Sequence, residues 1–194
     1  MIKAFLFLIV SVLGLCFLSC KSENNKIIQS EKITVDKNLS KNDTFRILSK
    51  YPELKLFNSE KVESATRTAY ISQISSFFDG YYHTRSVRFE DYKCKTEYKG
   101  DTINIWLNNY NGYFGNGVLI KIFNDQFLIQ DIDPKTLKGE IKFISSYPVY
   151  QKLVLNKYPF QKNDSIYGFI DYKTTIDSLV AKNFRGYFRT KIKY

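Results

Sequence analysis

A chain of 194 residues with 44% hydrophobic and 25% charged side chains is long enough to bury a core and too apolar to stay disordered. Its 29 Lys and Arg outnumber 19 Asp and Glu, which makes it basic. One histidine, His83, leaves Ser-His-Asp or Cys-His catalysis only if that residue is itself the base.

The chain begins with Lys3 as a short cationic region and an apolar run from Ala4 to Leu18, followed at once by the polar stretch Lys21 to Lys26. The run is shorter than the roughly 20 apolar residues a membrane-crossing helix needs, so it reads as an export signal that is removed. Its end, Phe17-Leu18-Ser19-Cys20, resembles the lipobox of bacterial lipoproteins: an apolar residue, a small residue, then the lipid-accepting cysteine. Phe17 departs from the usual Leu, and the rival Cys16 follows the bulky Leu15 where a small side chain is wanted. The resemblance implies cleavage after residue 19, a diacylglyceryl thioether on Cys20 and an amide-linked third acyl chain. At about 0.8 kcal/mol per buried methylene, two or three such chains hold a protein on a membrane almost permanently. Lys21 in place of Asp after the acceptor implies the outer membrane, with the periplasmic and surface faces both open.

The lysine-, asparagine- and serine-rich stretch from Lys21 to about Asn42 reads as a tether, with room for a short strand at Ile27, Ile28, Ile33 and Val35. Residues 43–194 then form a single domain. A short helix is expected over Asp43 to Ser49, stopped before Pro52. A longer one is expected from Glu60 to Phe78, capped by Ser59, with Val62, Thr66, Ala69, Ile74, Phe77 and Phe78 on one side and Gly80 past its end.

Beyond Gly80 the period changes to two. Tyr92, Cys94, Thr96 and Tyr98 alternate with Lys93, Lys95, Glu97 and Lys99, and Gly100-Asp101 turns the chain into Thr102 to Leu107. Val118 to Phe123 and Gln126 to Ile132 flank Asn124-Asp125, a pair suited to a two-residue turn, which sets Ile122 opposite Phe127 and Ile120 opposite Ile129. Further strands are expected at Glu140 to Ser145, Val149 to Asn156, Ser165 to Lys173 and Phe184 to Lys193. Asn163-Asp164 precedes the third of these, and the capping-box spacing of Thr174 and Asp177 suggests a short helix before the last. About eight antiparallel strands joined by short turns describe a mainly β domain, a barrel in preference to a sandwich. The arrangement is similar to lipocalin-like barrels in architecture alone, since Trp106 lacks a glycine two places before it.

Chemistry-bearing groups are sparse. Cys16 leaves with the signal and Cys20 is taken by lipid, so Cys94 is the one remaining thiol; on a strand it reads as a small core residue. His83, among Tyr81, Tyr82 and Arg85, reads as structural. Asp131 and Asp133 share one side of a strand end and are the metal candidates, without the further oxygen ligands and turn glycine of a calcium loop. Glu90, Asp91 and Asp171 make a hydrolytic pair only if the fold gathers them. No glycine-rich phosphate loop, zinc motif or haem motif is present, and a cofactor is not expected.

The loop Asn108 to Gly117 is the candidate binding segment: Tyr110, Tyr113 and Phe114 offer flat apolar faces, and Asn109 and Asn111 supply donors and acceptors. The alternative is that Tyr110 and Phe114 fold back as a plug. With Lys3 removed, 28 Lys and Arg face 19 acids, and the cations are scattered along strands as on a solvated sheet face. The expected function is non-enzymatic: a membrane-anchored envelope lipoprotein whose β domain holds a small apolar or amphipathic ligand. The alternative is a protein-interaction, assembly or inhibitor module, a hydrolase comes third, and nucleic acid is not an expected partner.

Overall fold

The computed structural model describes residues 30–78, 84–110, 116–133, 142–161, 163–176 and 180–192. The chain passes through β1 (Glu31–Lys32), β2 (Thr34–Val35), a 3-10 turn (Leu39–Lys41), α1 (Asp43–Leu48), β3 (Ala69–Phe78) and β4 (Thr84–Phe89). It continues through β5 (Lys93–Lys99), β6 (Thr102–Asn108), β7 (Gly117–Phe123), β8 (Gln126–Asp133) and β9 (Lys142–Phe143), then β10 (Tyr147–Leu155), β11 (Ser165–Ile176) and β12 (Val180–Lys191).

Period-two alternation builds two sheets. The first runs β1-β8-β7-β6-β5, with β9 also on β8; the second runs β2-β10-β11-β12-β3-β4. Asn124 and Asp125 both adopt positive φ, 45° and 62°, as a two-residue hairpin turn requires. The turn sets Ile122 against Phe127 and Ile120 against Ile129, the expected register. Gly100, at φ 66°, closes the β5–β6 turn. The N-terminal segment belongs to both sheets: β1 pairs with β8, and two residues later β2 pairs with β10 in parallel. The seam between those sheet edges is closed by this one stretch, which takes up the strand room at Ile33 and Val35.

Among the described residues no strand of the first sheet pairs through its main chain with a strand of the second, and β5 and β4 end them. The layers face each other as in a sandwich, and the expected barrel closure is not formed. Between them Tyr92, Phe127, Tyr172, Phe184 and Phe188 are wholly buried together with Ile105, Leu107, Ile120 and Ile129. Tyr92 meets Phe184 edge to face at 4.9 Å. Shape complementarity extends to single atoms, because Gly168 lies against the Phe188 ring where no Cβ would fit.

The expected helix over Asp43 to Ser49 forms as α1. Asn42 accepts from the Thr44 amide at 2.9 Å as its cap. Phe45 packs edge to face on Tyr167 and Tyr187, at 5.0 and 5.7 Å, covering part of the outer face of the second sheet. The longer helix does not form. Ala69, Ile71, Gln73 and Ser75 are buried on one side of β3 while Tyr70 is exposed on the other, and β3 pairs with β12 from Ala69–Phe188 to Phe77–Val180. A helical stripe could be drawn through this stretch because aromatic and β-branched residues are frequent enough to satisfy two periods. The long β12 partner, unseen in a local window, decides for the strand. The helix expected at Thr174 also yields: Thr174 and Ile176 extend β11, opposite Lys182 and Val180. The strand expected over Glu140 to Ser145 is only Lys142–Phe143 among the described residues.

Candidate functional site: a charged groove beside β5

β5 is the edge of the first sheet, and its polar flank is where the chain offers an open surface. Tyr92, Cys94 and Thr96 face inward, as their alternation requires. Antiparallel pairing turns the main-chain groups of alternate residues away from β6, so the Cys94 amide donates to Thr68 Oγ1 at 2.9 Å. Thr96 Oγ1 donates to Thr190 Oγ1 at 2.7 Å, which stitches the edge to β12. A groove of about 400 Å³ runs beside this seam.

The opposite wall is the segment 53–64, held down by Glu60. One oxygen of its carboxylate takes the Lys93 ammonium at 2.6 Å and the other accepts the Leu56 amide at 2.7 Å. Both side chains of that pair are less than a fifth exposed. Arg189 anchors the base, donating to the Arg67 carbonyl, Ser49 Oγ and Thr66 Oγ1 at 2.9, 2.6 and 2.8 Å. Lys61, Lys93, Lys95, Arg189 and Lys191 line the groove against Glu53, Glu60 and Glu63, leaving a cationic excess over a floor of Thr68, Cys94, Thr96 and Thr190. Burial, with Glu53 nearby, pushes the Cys94 thiol well up, so it is a poor nucleophile. The arrangement can bind an anionic or extended partner.

Of the residues singled out in the sequence, Asn109 closes the neck of its loop. Its amide donates to the Asn116 carbonyl at 3.1 Å, and its Oδ1 accepts from the Asn116 amide at 2.7 Å. Tyr110 is half-buried against Phe57, with ring centroids 6.2 Å apart, and Asn108 lines the groove, so the neck of this loop stands at the groove's lip. Asn111, Tyr113, Phe114, His83, Cys16 and Cys20 lie outside the described residues.

Asp131 is wholly buried, its two oxygens meeting Lys182 Nζ at 2.5 Å and Tyr172 Oη at 2.8 Å, while Asp133 is half-buried beside Lys142 in register. Among the described residues no group of three His, Cys, Asp or Glu is placed to hold a metal ion. Glu90, Asp91 and Asp171 each meet a different arginine, Arg88 at 3.7 Å, Arg67 at 2.9 Å and Arg185 at 3.7 Å.

The sequence hides the groove because its acidic wall, Glu60 and Glu63 after Ser59, reads as the first turn of a helix. Ser59, Glu60 and Glu63 carry an N-cap pattern, yet Glu60 spends both oxygens on tertiary partners. No protein-family model, curated protein or solved structure matches the chain.

Proposed function

We propose that the chain is an exported lipoprotein, held on the outer membrane through Cys20, whose β domain is an interaction module. Its groove beside β5 takes an extended, acidic segment of an envelope protein. The observation that carries this reading is the groove's place outside a filled core, along an edge strand, with five cations against three carboxylates. An edge strand offers main-chain donors and acceptors to a chain laid alongside it, and the lysines select its charge. Exposed apolar side chains at Phe77, Phe78, Tyr147 and Val149 fit a protein that meets proteins.

A small amphipathic ligand is the second reading, moved from the core to the groove. It is favoured by the groove's 400 Å³, within the usual range for small-molecule sites, and by the aromatic Tyr167 in its lining.

The test of the first reading is an NMR titration with a peptide alternating glutamate and valine. Amide shifts should cluster on residues 93–97 and 189–191 and fade with salt, and Lys95→Glu with Lys191→Glu should weaken binding about tenfold or more. Shifts elsewhere, or none, would remove the groove from this role. For the anchor, Cys20→Ala should abolish fatty-acid labelling while Cys16→Ala should not; labelled Cys20→Ala protein would refute it.

A further inference from the structure

The most unusual group in the interior is an ion pair that joins the two sheets. Asp131 enters from β8 and Lys182 from β12, and their side chains are 0% and 2% exposed. Nζ of Lys182 lies 2.5 Å from Oδ1 of Asp131, while Tyr172 Oη donates to Oδ2 at 2.8 Å. Tyr172 Oη lies in turn 3.5 Å from Ser146 Oγ. The apolar core cluster includes Ile129, two residues before Asp131, and Phe184, two residues after Lys182 on the same inward face.

Two full charges so far from water are costly, and they repay that cost only with good geometry and further hydrogen bonds. An amine and a carboxyl fixed at contact in a site closed to bulk solvent are also reactants held together. Such placement is worth effective molarities of about 10⁵ to 10⁸ M.

We propose that the folded chain joins Lys182 to Asp131 through an isopeptide bond. Proton transfer along the Nζ–Oδ1 contact converts ammonium and carboxylate to amine and carboxylic acid. The Nζ lone pair then attacks Cγ, and the Tyr172 hydroxyl, donating to Oδ2, holds the oxygen on which charge gathers. The Cγ–Oδ1 bond breaks, and that hydroxyl leaves with a proton from Nζ as one water molecule. The product is a secondary amide with no net change in oxidation state, and no co-reactant is needed. Burial keeps the Tyr172 phenol protonated and so able to donate, though the proposal stands on the contact geometry. The product would remove both buried charges and tie the first sheet to the second by a covalent bond.

Peptide mapping of the full chain, purified from its host and denatured before trypsin, tests this directly. If the bond forms, Lys182 resists cleavage, and fragment 122–135 is recovered joined to fragment 174–185, lighter than the two together by one water. Recovery of separate linear fragments cut after Lys182 would overturn the proposal, and this wild-type result decides it whether or not any variant folds. Lys182→Met should yield linear fragments alone. Tyr172→Phe should slow formation at least tenfold during refolding while giving the same product; an unchanged rate would remove Tyr172 from the chemistry.

Discussion

Replacing Gly168 with alanine asks directly whether the space between the sheets is filled. Gly168 pairs with Phe188 across β11 and β12, and a Cβ there would stand 2.1 Å from Phe188 Cζ and 2.5 and 2.6 Å from its two Cε atoms. The ring must move, yet Phe188 is 0% exposed and packed within the core between the sheets. Overpacking of this kind costs about 1 to 3 kcal/mol. Stiffening the unfolded chain returns about 0.4 to 1 kcal/mol. At the middle of both ranges the net expectation is a loss of about 1.3 kcal/mol, read as a fall in Tm of roughly 3 to 5 °C for a domain of this size. Thermal unfolding followed by circular dichroism measures it. Phe188→Leu in the Gly168→Ala background should restore part of the loss, with a coupling of about 0.5 kcal/mol or more. A hollow, ligand-carrying interior would let the ring swing aside, so an unchanged Tm in Gly168→Ala would refute the packing argument and return the carrier reading to first place.

Four other outcomes follow from the same contacts. Tyr110→Ala should cost only about 1 kcal/mol in denaturant unfolding, because the ring is half-buried and meets Phe57 at its edge; a loss of 3 kcal/mol or more would make it a core plug. Arg189→Ala should cost about 2 to 3 kcal/mol and speed exchange of the Arg67 amide, which donates to the Tyr51 carbonyl, since its guanidinium ties three acceptors; unchanged exchange would deny that clamp. Stability should fall as pH rises from about 8.5 and more steeply above about 10, where the unfolded Cys94, Tyr92 and Tyr172 lose protons that burial makes the folded chain keep. With fewer protons on the unfolded state the slope is negative, about 1.4 kcal/mol per pH unit for each group titrating, and a flat urea midpoint from pH 8 to 11 would contradict it. Iodoacetamide should leave Cys94 unmodified in the folded protein and label it in urea; fast native labelling would show the groove floor to be open.

How much could be read from residues alone depended on whether the deciding contact was local. The hairpin through Asn124-Asp125 was legible to the residue, because turn chemistry and alternation act within a few positions and agree. The inward set Tyr92, Cys94 and Thr96, and the alternation of Phe184, Gly186 and Phe188, were legible for the same reason. β3 was not, since its period is ambiguous locally and the longer of its two pairings, with β12, joins residues more than a hundred positions apart. Barrel and sandwich were inseparable because both are made of the same hairpins; the difference lies in whether edge strands such as β5 and β4 meet another strand, which alternation does not encode. Asp131 could be picked out, but as half of an Asp-x-Asp metal candidate with Asp133. Lys182 could not, because the capping-box spacing of Thr174 and Asp177 favours a helix there and the alternation is plain only from Phe184, so Lys182 falls before the expected strand.

The path of the N-terminal segment ties the proposed anchor to the fold. Nine residues separate Cys20 from Ser30, and a chain of that length reaches at most about 30 to 35 Å when fully extended. A lipid on Cys20 would therefore keep the domain within roughly its own diameter of the bilayer. Ser30 enters beside Gln126, with Oγ to Oε1 at 2.6 Å, and Ile33 donates to the Asp125 carbonyl at 3.0 Å, so the chain arrives at the hairpin turn of β7 and β8. From there β1 and β2 cross the seam between β8 and β10, and the Asp36 amide bonds to the Leu155 carbonyl at 2.9 Å. Any pull from the membrane would fall first on this strap. The strap closes one side of the sandwich, whereas the groove flanks β5, at the far edge of the first sheet from β1 and β8. Anchoring and binding would thus use opposite edges of one sheet, which allows a partner to occupy the groove without unseating the strap.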